Sequence, residues 1–215
     1  MMQANRGESL LENLIFLPGA SGNIEFWQPV ISLSSSYYTK YIIAYPEFGG
    51  VPAQADIQNF DDLKQYVIHS INDLSHQQPS IVVAQSMGGI FAVQTALKHP
   101  EQVKALVLIA TSGGIDLSRF DVADWREDYQ LNFLVPDWFV NHRSALDHEL
   151  NKIQCPVLLI WGDQDLISPV SVGRYLEKQF KQARLEIIEG GQHDLAFEYA
   201  EQIADLIEGF IQFIQ

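Results

Sequence analysis

An α/β protein of three layers, with a mainly parallel sheet of about six strands and helices on both faces, is what the sequence predicts. Three observations predict it. Short, nearly continuous apolar runs alternate along the chain with segments of helical spacing, which is the pattern of strands buried on both faces. Loops rich in Gly, Pro, Ser and Asp leave successive runs at the same end, the carboxyl end, where open α/β sheets bind ligands. The run Ile81-Val82-Val83-Ala84-Gln85 passes directly into Ser86-Met87-Gly88-Gly89 and then into a helical pattern. Strand, sharp turn with an exposed serine, and helix follow one another without a spare residue.

Each element has its own signal. Leu14-Ile15-Phe16-Leu17 is a buried strand stopped by Pro18-Gly19-Ala20-Ser21-Gly22, a loop able to offer backbone N–H groups to an anion. Phe26, Trp27, Val30 and Ile31 begin a helix, and Tyr41-Ile42-Ile43-Ala44-Tyr45 is the next strand. Phe60 to Leu74 has helical spacing, with Leu63, Tyr66, Val67 and Leu74 on one side. In the helix after Ser86, Ile90, Val93, Ala96 and Leu97 recur until His99-Pro100 ends it. Strands are expected at Val103–Ala110, Pro156–Trp161 and Arg184–Ile188, and helices at Val170–Phe180 and about Glu198–Phe213. The stretch from Ile115 to Gln154 is aromatic and acidic, and reads as one or two short helices laid over the edge of the sheet.

Composition bounds the rest. With 215 residues and 47% hydrophobic content the chain suits a single domain, 1–215, with a cover segment at about 115–154. Thirteen Lys and Arg against 27 Asp and Glu give a formal charge of −14. That charge opposes nucleic acid and anionic membrane surfaces as partners. Arg6, Glu8, Glu12 and Asn13 break up the N-terminal region, which does not read as a secretory signal, and a cytoplasmic monomer or homodimer is expected. The single cysteine, Cys155, excludes an internal disulfide and reads as a small core residue.

A serine needs a base to take its proton, and the base needs an acid to orient it. Of the six histidines, only His193 follows a strand and a glycine pair, Gly190-Gly191, at the carboxyl edge. Asp163 and Asp165 follow the Pro156–Trp161 strand at that same edge. At these residues the sequence resembles the α/β-hydrolase superfamily over nearly its whole length. Leu17-Pro18-Gly19-Ala20 is similar to the family's oxyanion loop, with proline where the family has histidine. Gln85-Ser86-Met87-Gly88-Gly89 resembles the nucleophile elbow, with Ala84 where the first glycine is usual. Gly162-Asp163-Gln164-Asp165 resembles the acid loop and Gly190-Gly191-Gln192-His193 the histidine loop. The superfamily's usual first two strands have no counterpart ahead of Leu14, so the resemblance implies six main strands in the order 2-1-3-4-5-6, counted along the chain, and the cover segment is short for the family.

The resemblance implies Ser86 as nucleophile, His193 as base and then acid, and Asp165 as the orienting carboxylate. It leaves Asp163 to loop hydrogen bonding and makes the N–H groups of Ala20 and Met87 the oxyanion hole. Trp27, Trp125, Phe133 and Trp138 are expected to line an apolar pocket beside Ser86. Asp121, Asp124, Glu127 and Asp128, set among these rings, would favour neutral acyl substrates over anionic ones. The implied activity is hydrolysis of a small ester, thioester or related acyl bond, with no metal and no organic cofactor. The same fold hosts lyases, carbon–carbon hydrolases and non-catalytic binding proteins, and a binder has no chemical need for all three groups. A dehalogenase would carry an aspartate in place of Ser86.

Overall fold

A computed structural model describes residues 12–76, 78–125, 129 and 136–215. Its six strands are β1 (Glu12–Leu17), β2 (Tyr38–Ile42), β3 (Ser80–Gln85), β4 (Val103–Ile109), β5 (Val157–Gly162) and β6 (Ala183–Ile188). They form one sheet in the order β2-β1-β3-β4-β5-β6, the order expected, and every pairing is parallel. The helices are α1 (Gln28–Leu33), α2 (Phe60–Ser75), α3 (Met87–Lys98), α4 (Asp137–Val140), α5 (Val170–Gln179), α6 (Leu195–Glu198) and α7 (Ala200–Ile214).

Successive strand side chains point to opposite faces, so the sheet builds two cores. Ile15, Leu17, Val82, Leu106, Leu108 and Leu159 face the layer of α2, α3 and α5. Leu14, Phe16, Val83, Val107 and Ile160 face α1 and α7, where Ile203, Ile207, Phe210 and Ile211 complete the layer. Both faces are dry, which is why the strands read as continuous apolar runs rather than as an alternating pattern. The helix starts have local causes: the Asn59 side chain accepts from the Asp62 N–H at 3.0 Å to cap α2, and Pro29 stands in the first turn of α1.

Two expectations are corrected. The second strand is Tyr38–Ile42 and not Tyr41–Tyr45. Ile43 still donates its N–H to the Phe16 carbonyl at 3.1 Å, but the chain then leaves the sheet and buries Tyr45 in the α2–α3 layer. Cys155 is half-buried rather than fully so, although burial pushes its thiol pKa up to about 11. Within 115–154 the helical pieces among the described residues are short: helical Tyr129, whose N–H donates to the Trp125 carbonyl at 2.9 Å, α4, and one 3-10 turn at Leu150–Lys152. No helix among the described residues is long and apolar enough to cross a membrane.

Candidate active site

The site begins with a strained turn. Ser86, between β3 and α3, has φ 52° and ψ −119°, a conformation costing a non-glycine residue about 1–3 kcal/mol unless its surroundings fix it. They do fix it. Ser86 donates its N–H to the Ile109 carbonyl at 3.0 Å, and its own carbonyl accepts from the Gly89 N–H at 3.1 Å. The buried Thr111 hydroxyl donates to that carbonyl at 2.5 Å and accepts from the Gly113 N–H at 3.0 Å. The glycines have steric reasons. A Cβ at Gly88 would stand 2.7 Å from the Leu17 and Pro18 carbonyl oxygens, and one at Gly89 would stand 2.3 Å from Thr111 Oγ1. The methyl of Ala84 is fully buried in the α2–α3 layer.

Three loops converge on this serine. Asp165 is buried and accepts on Oδ1 from the N–H groups of Ile167 and Ser168 at 2.8 and 2.9 Å. Its Oδ2 accepts from His193 Nδ1 at 2.8 Å. An ionised carboxylate only accepts, so the imidazole proton resides on Nδ1, and Nε2 is left to accept from the Ser86 hydroxyl at 3.0 Å. Asp163, two residues away, instead accepts from the Gly190 N–H at 2.8 Å. The acid and histidine loops are fastened backbone to backbone, with Gln164 N–H on the Gly191 carbonyl at 2.9 Å. A Cβ at Gly162 would meet Gly191 O at 2.1 Å, so both loops need glycine there. Asp194 is exposed on the cavity wall next to His193.

Sequence reasoning missed three supporting residues. Buried Gln85 donates from Nε2 to the His193 carbonyl at 3.2 Å, tying the histidine loop to the elbow. Buried Tyr45 donates its hydroxyl to the Pro18 carbonyl at 2.9 Å and so braces the Pro18–Ala20 loop; burial raises its pKa well above the usual value, keeping it a donor. Thr111 is the third. Polar residues beside a turn carry no sequence mark that separates such roles from ordinary loop chemistry. Only their place at the ends of apolar runs hints at the burial of Gln85 and Tyr45.

Above Ser86 lies a cavity of about 980 Å³. Ala20 and Met87 both line it, and Met87 opens α3, where a helix leaves its first N–H groups unpaired. Trp125 lines it as expected, together with Tyr129 and Phe139. Trp27 does not: it is fully buried in the α1–α7 layer against Phe16, with ring centroids 5.2 Å apart. The turn Ile24–Trp27 is a 3-10 helix that sends Trp27 inward and leaves its neighbour Phe26 to the cavity. Trp138 is also displaced, packing edge-on against Phe48 at 5.9 Å and absent from the cavity wall. Phe133, Glu127 and Asp128 lie outside the described residues. Asp121 and Asp124 are not on the wall, whose carboxylates among the described residues are Asp116, Asp194 and Glu198.

The arrangement can take a proton from Ser86 Oγ onto His193 Nε2 while Asp165 stabilises the imidazolium, and it can present two backbone N–H groups to an oxyanion. A family model described as alpha/beta hydrolase fold matches residues 12–140 and 125–200. The chain belongs to the α/β-hydrolase fold family. Within that family it is 26% identical over 251 residues to a 2-hydroxy-6-oxononadienedioate/2-hydroxy-6-oxononatrienedioate hydrolase of Paraburkholderia phymatum, a match covering 93% of this chain and 87% of that protein. It is 26% identical over 179 residues to a pimeloyl-[acyl-carrier protein] methyl ester esterase of Neisseria meningitidis, covering 62% of this chain and 70% of the esterase. Among solved structures, a thermophilic esterase from Thermogutta terrifontis superposes with a TM-score of 0.78 at 15% identity, over 94% of this chain and 90% of that one. The α/β-hydrolase relatives named here are hydrolases, and this chain is a hydrolase of that fold.

Proposed function

We propose that this α/β-hydrolase is a serine hydrolase that cleaves a small ester, thioester or related acyl bond through an acyl-enzyme on Ser86. The observation that carries the reading is the unbroken hydrogen-bonded chain Asp165–His193–Ser86, drawn from three loops far apart in sequence. Ser86 Oγ attacks the acyl carbon as His193 Nε2 takes its proton. The oxyanion is received by the N–H groups of Ala20 and Met87, each such donor accounting for about 10²–10³ in rate. Collapse of the tetrahedral intermediate breaks the bond to the leaving alcohol or thiol, which takes the proton from His193. Water, deprotonated by the same imidazole, then releases the acid and restores Ser86. No step calls on a metal or an organic cofactor.

Fluorophosphonate labelling followed by intact-mass analysis tests the reading. One adduct is expected on the wild-type protein and none on Ser86→Ala. An adduct surviving in Ser86→Ala would reject the assignment, and an unlabelled wild type would favour a binding protein. A second reading, carbon–carbon bond hydrolysis with the same three residues, is favoured by the dienedioate hydrolase among the relatives. Turnover of a dienoate substrate, followed by loss of its absorbance and set beside a panel of p-nitrophenyl esters, separates the two.

A further inference from the structure

The cavity over Ser86 is electrically lopsided. On one side its wall carries Asp194 and Glu198, beside Phe26 stacked on Phe197 at 6.3 Å. Phe26 belongs to the α1–α7 layer. On the other side the wall is formed by Phe60, from the α2–α3 layer, with His142 stacked on it at 3.5 Å and Arg143 next in sequence. Arg143 is the one Lys or Arg among the described residues of the wall.

Arg143 differs from the neighbouring cations. Lys64 is paired with Asp61, and Arg119 with Asp147. No carboxylate among the described residues pairs with Arg143. Its Nη1 donates to the Val140 and His142 carbonyls at 3.0 and 2.8 Å, which orients the planar guanidinium while leaving its other N–H groups available. Asp116, also on the wall, keeps its charge; the Ser118 N–H and hydroxyl donate to it at 2.9 and 2.8 Å, and the cation that acts on it is Arg119 rather than Arg143. In a chain with 27 acidic and 13 basic residues, an exposed arginine held in orientation on a cavity wall, with no carboxylate partner among the described residues, is a candidate anion site.

The mechanism gives this polarity a direction. His193 must protonate the leaving group, so that group departs past His193, on the side of Asp194 and Glu198, where an anion is repelled. The acyl portion remains on Ser86 and extends the opposite way. We propose that Arg143 recognises a carboxylate at the far end of the acyl chain, so that the substrate is a monoester or monothioester of a dicarboxylic acid, uncharged at the bond cleaved and anionic at its tail. The proposal rests on the acyl-hydrolase reading of Ser86. The neutral substrate suggested by the acidic cover is then neutral at its reacting end alone.

The test compares p-nitrophenyl hydrogen adipate with its methyl-capped, uncharged counterpart. The wild-type protein should favour the acid in kcat/KM, and the preference should shrink at high salt. In Arg143→Gln the acid-to-methyl ratio should fall roughly 10-fold, the size of one charge-assisted hydrogen bond; Arg143→Lys should retain most of it. The ratio isolates charge from any loosening of the turn that Arg143 braces, since loosening would slow both esters. A wild-type preference for the methyl-capped ester, or a ratio unmoved in Arg143→Gln, overturns the proposal. Calorimetric titration of Ser86→Ala with monomethyl adipate keeps the two readings apart. Binding that is lost on adding Arg143→Gln, with neither ester turned over, would reject the hydrolase reading and support the anion site. Turnover of both esters with no Arg143-dependent preference and no such binding would do the reverse.

Discussion

The Asp165 loop and the cover between Ile115 and Gln154 both face Ser86, yet they are fastened differently. The acid loop is pinned by backbone groups: Ile167 and Ser168 on Asp165, Gln164 on Gly191, Asp163 on Ile188 and Gly162 pressed against Gly191. Trp161 below it adds a bond from Nε1 to Ser168 Oγ at 3.2 Å. The cover is attached largely by rings, with Phe139 on Phe48 at 5.5 Å, Trp125 on Phe139 at 5.8 Å and His142 on Phe60. Its polar ties to the rest of the molecule among the described residues include the Ala123 N–H on the Leu166 carbonyl at 2.8 Å, the Leu146 N–H on the Gly114 carbonyl at 2.9 Å and the Tyr175 hydroxyl on Asp147 at 3.3 Å. Backbone hydrogen bonds fail steeply with distance and angle, whereas ring contacts tolerate sliding. The difference predicts that changes in the loop will fall on rate and changes in the cover on choice of substrate.

The largest expected effect lies in the loop. Asp165→Asn should lower kcat by about 10⁴, because an amide can hold the wrong imidazole tautomer. Asp163→Asn should cost less than about tenfold, since it disturbs one exposed bond to Gly190. Steady-state kinetics of the two variants decides, and a reversed order of severity would move the acid role to Asp163.

Next comes the elbow support. Thr111→Val removes the hydroxyl that faces the Ser86 carbonyl and should lower kcat roughly tenfold with little change in KM, the scale of one buried hydrogen bond. Thr111→Ser should restore the rate. A change confined to KM would contradict a role at Ser86.

In the cover the effects should fall on binding. Trp125→Ala should raise KM several-fold for an apolar acyl chain, about 1 kcal/mol of lost contact, and leave kcat nearly unchanged. Trp138→Ala, which removes a ring packed on Phe48 away from the cavity, should lower Tm and spare KM. Equal KM effects in the two variants would mean that the cover acts as one unit.

The smallest effect concerns pH and His142. Burial holds its pKa below the ordinary 6.5, so the unfolded chain binds the proton more readily than the folded one. Its contribution to stability is therefore present above the unfolded value and is lost as pH falls through that value toward the folded one. Thermal melts between pH 8 and pH 5 should show a steeper loss for the wild-type protein than for His142→Gln.

Much of this architecture is legible in the sequence. The strands follow from apolar runs separated by helical segments, because a sheet covered on both faces demands such runs, and their order follows from the resemblance to the α/β-hydrolase superfamily. Ser86, Asp165 and His193 were legible because each follows its strand at the one edge where α/β sheets bind ligands. Apolar patterning places the second strand three residues late for a physical reason. As an edge strand, β2 is only half-buried and contains Thr39 and Lys40, whereas Ile43 and Tyr45 are apolar because they are buried after the chain has left the sheet. Trp27 failed because a single 3-10 turn decides which of two adjacent rings enters the cavity. Gln85, Tyr45 and Thr111 act through contacts to backbone atoms distant in sequence, and nothing in their own neighbourhood records those partners.

The sheet order has a consequence for how the molecule is assembled during synthesis. From β3 onward each strand joins the edge left by the one before it, β4 then β5 then β6, so this half of the sheet can lengthen in one direction as the chain emerges. The layer containing Phe16, Val83, Val107 and Ile160 stays open until α7 arrives to close it, and α7 is made last. Asp165 and His193 likewise join Ser86 only after β5 and β6 have docked. A chain lacking Ala200–Ile214 would therefore keep α1 on this face but leave uncovered the part that Ile203, Ile207, Phe210 and Ile211 fill, a state calling for a chaperone rather than a substrate.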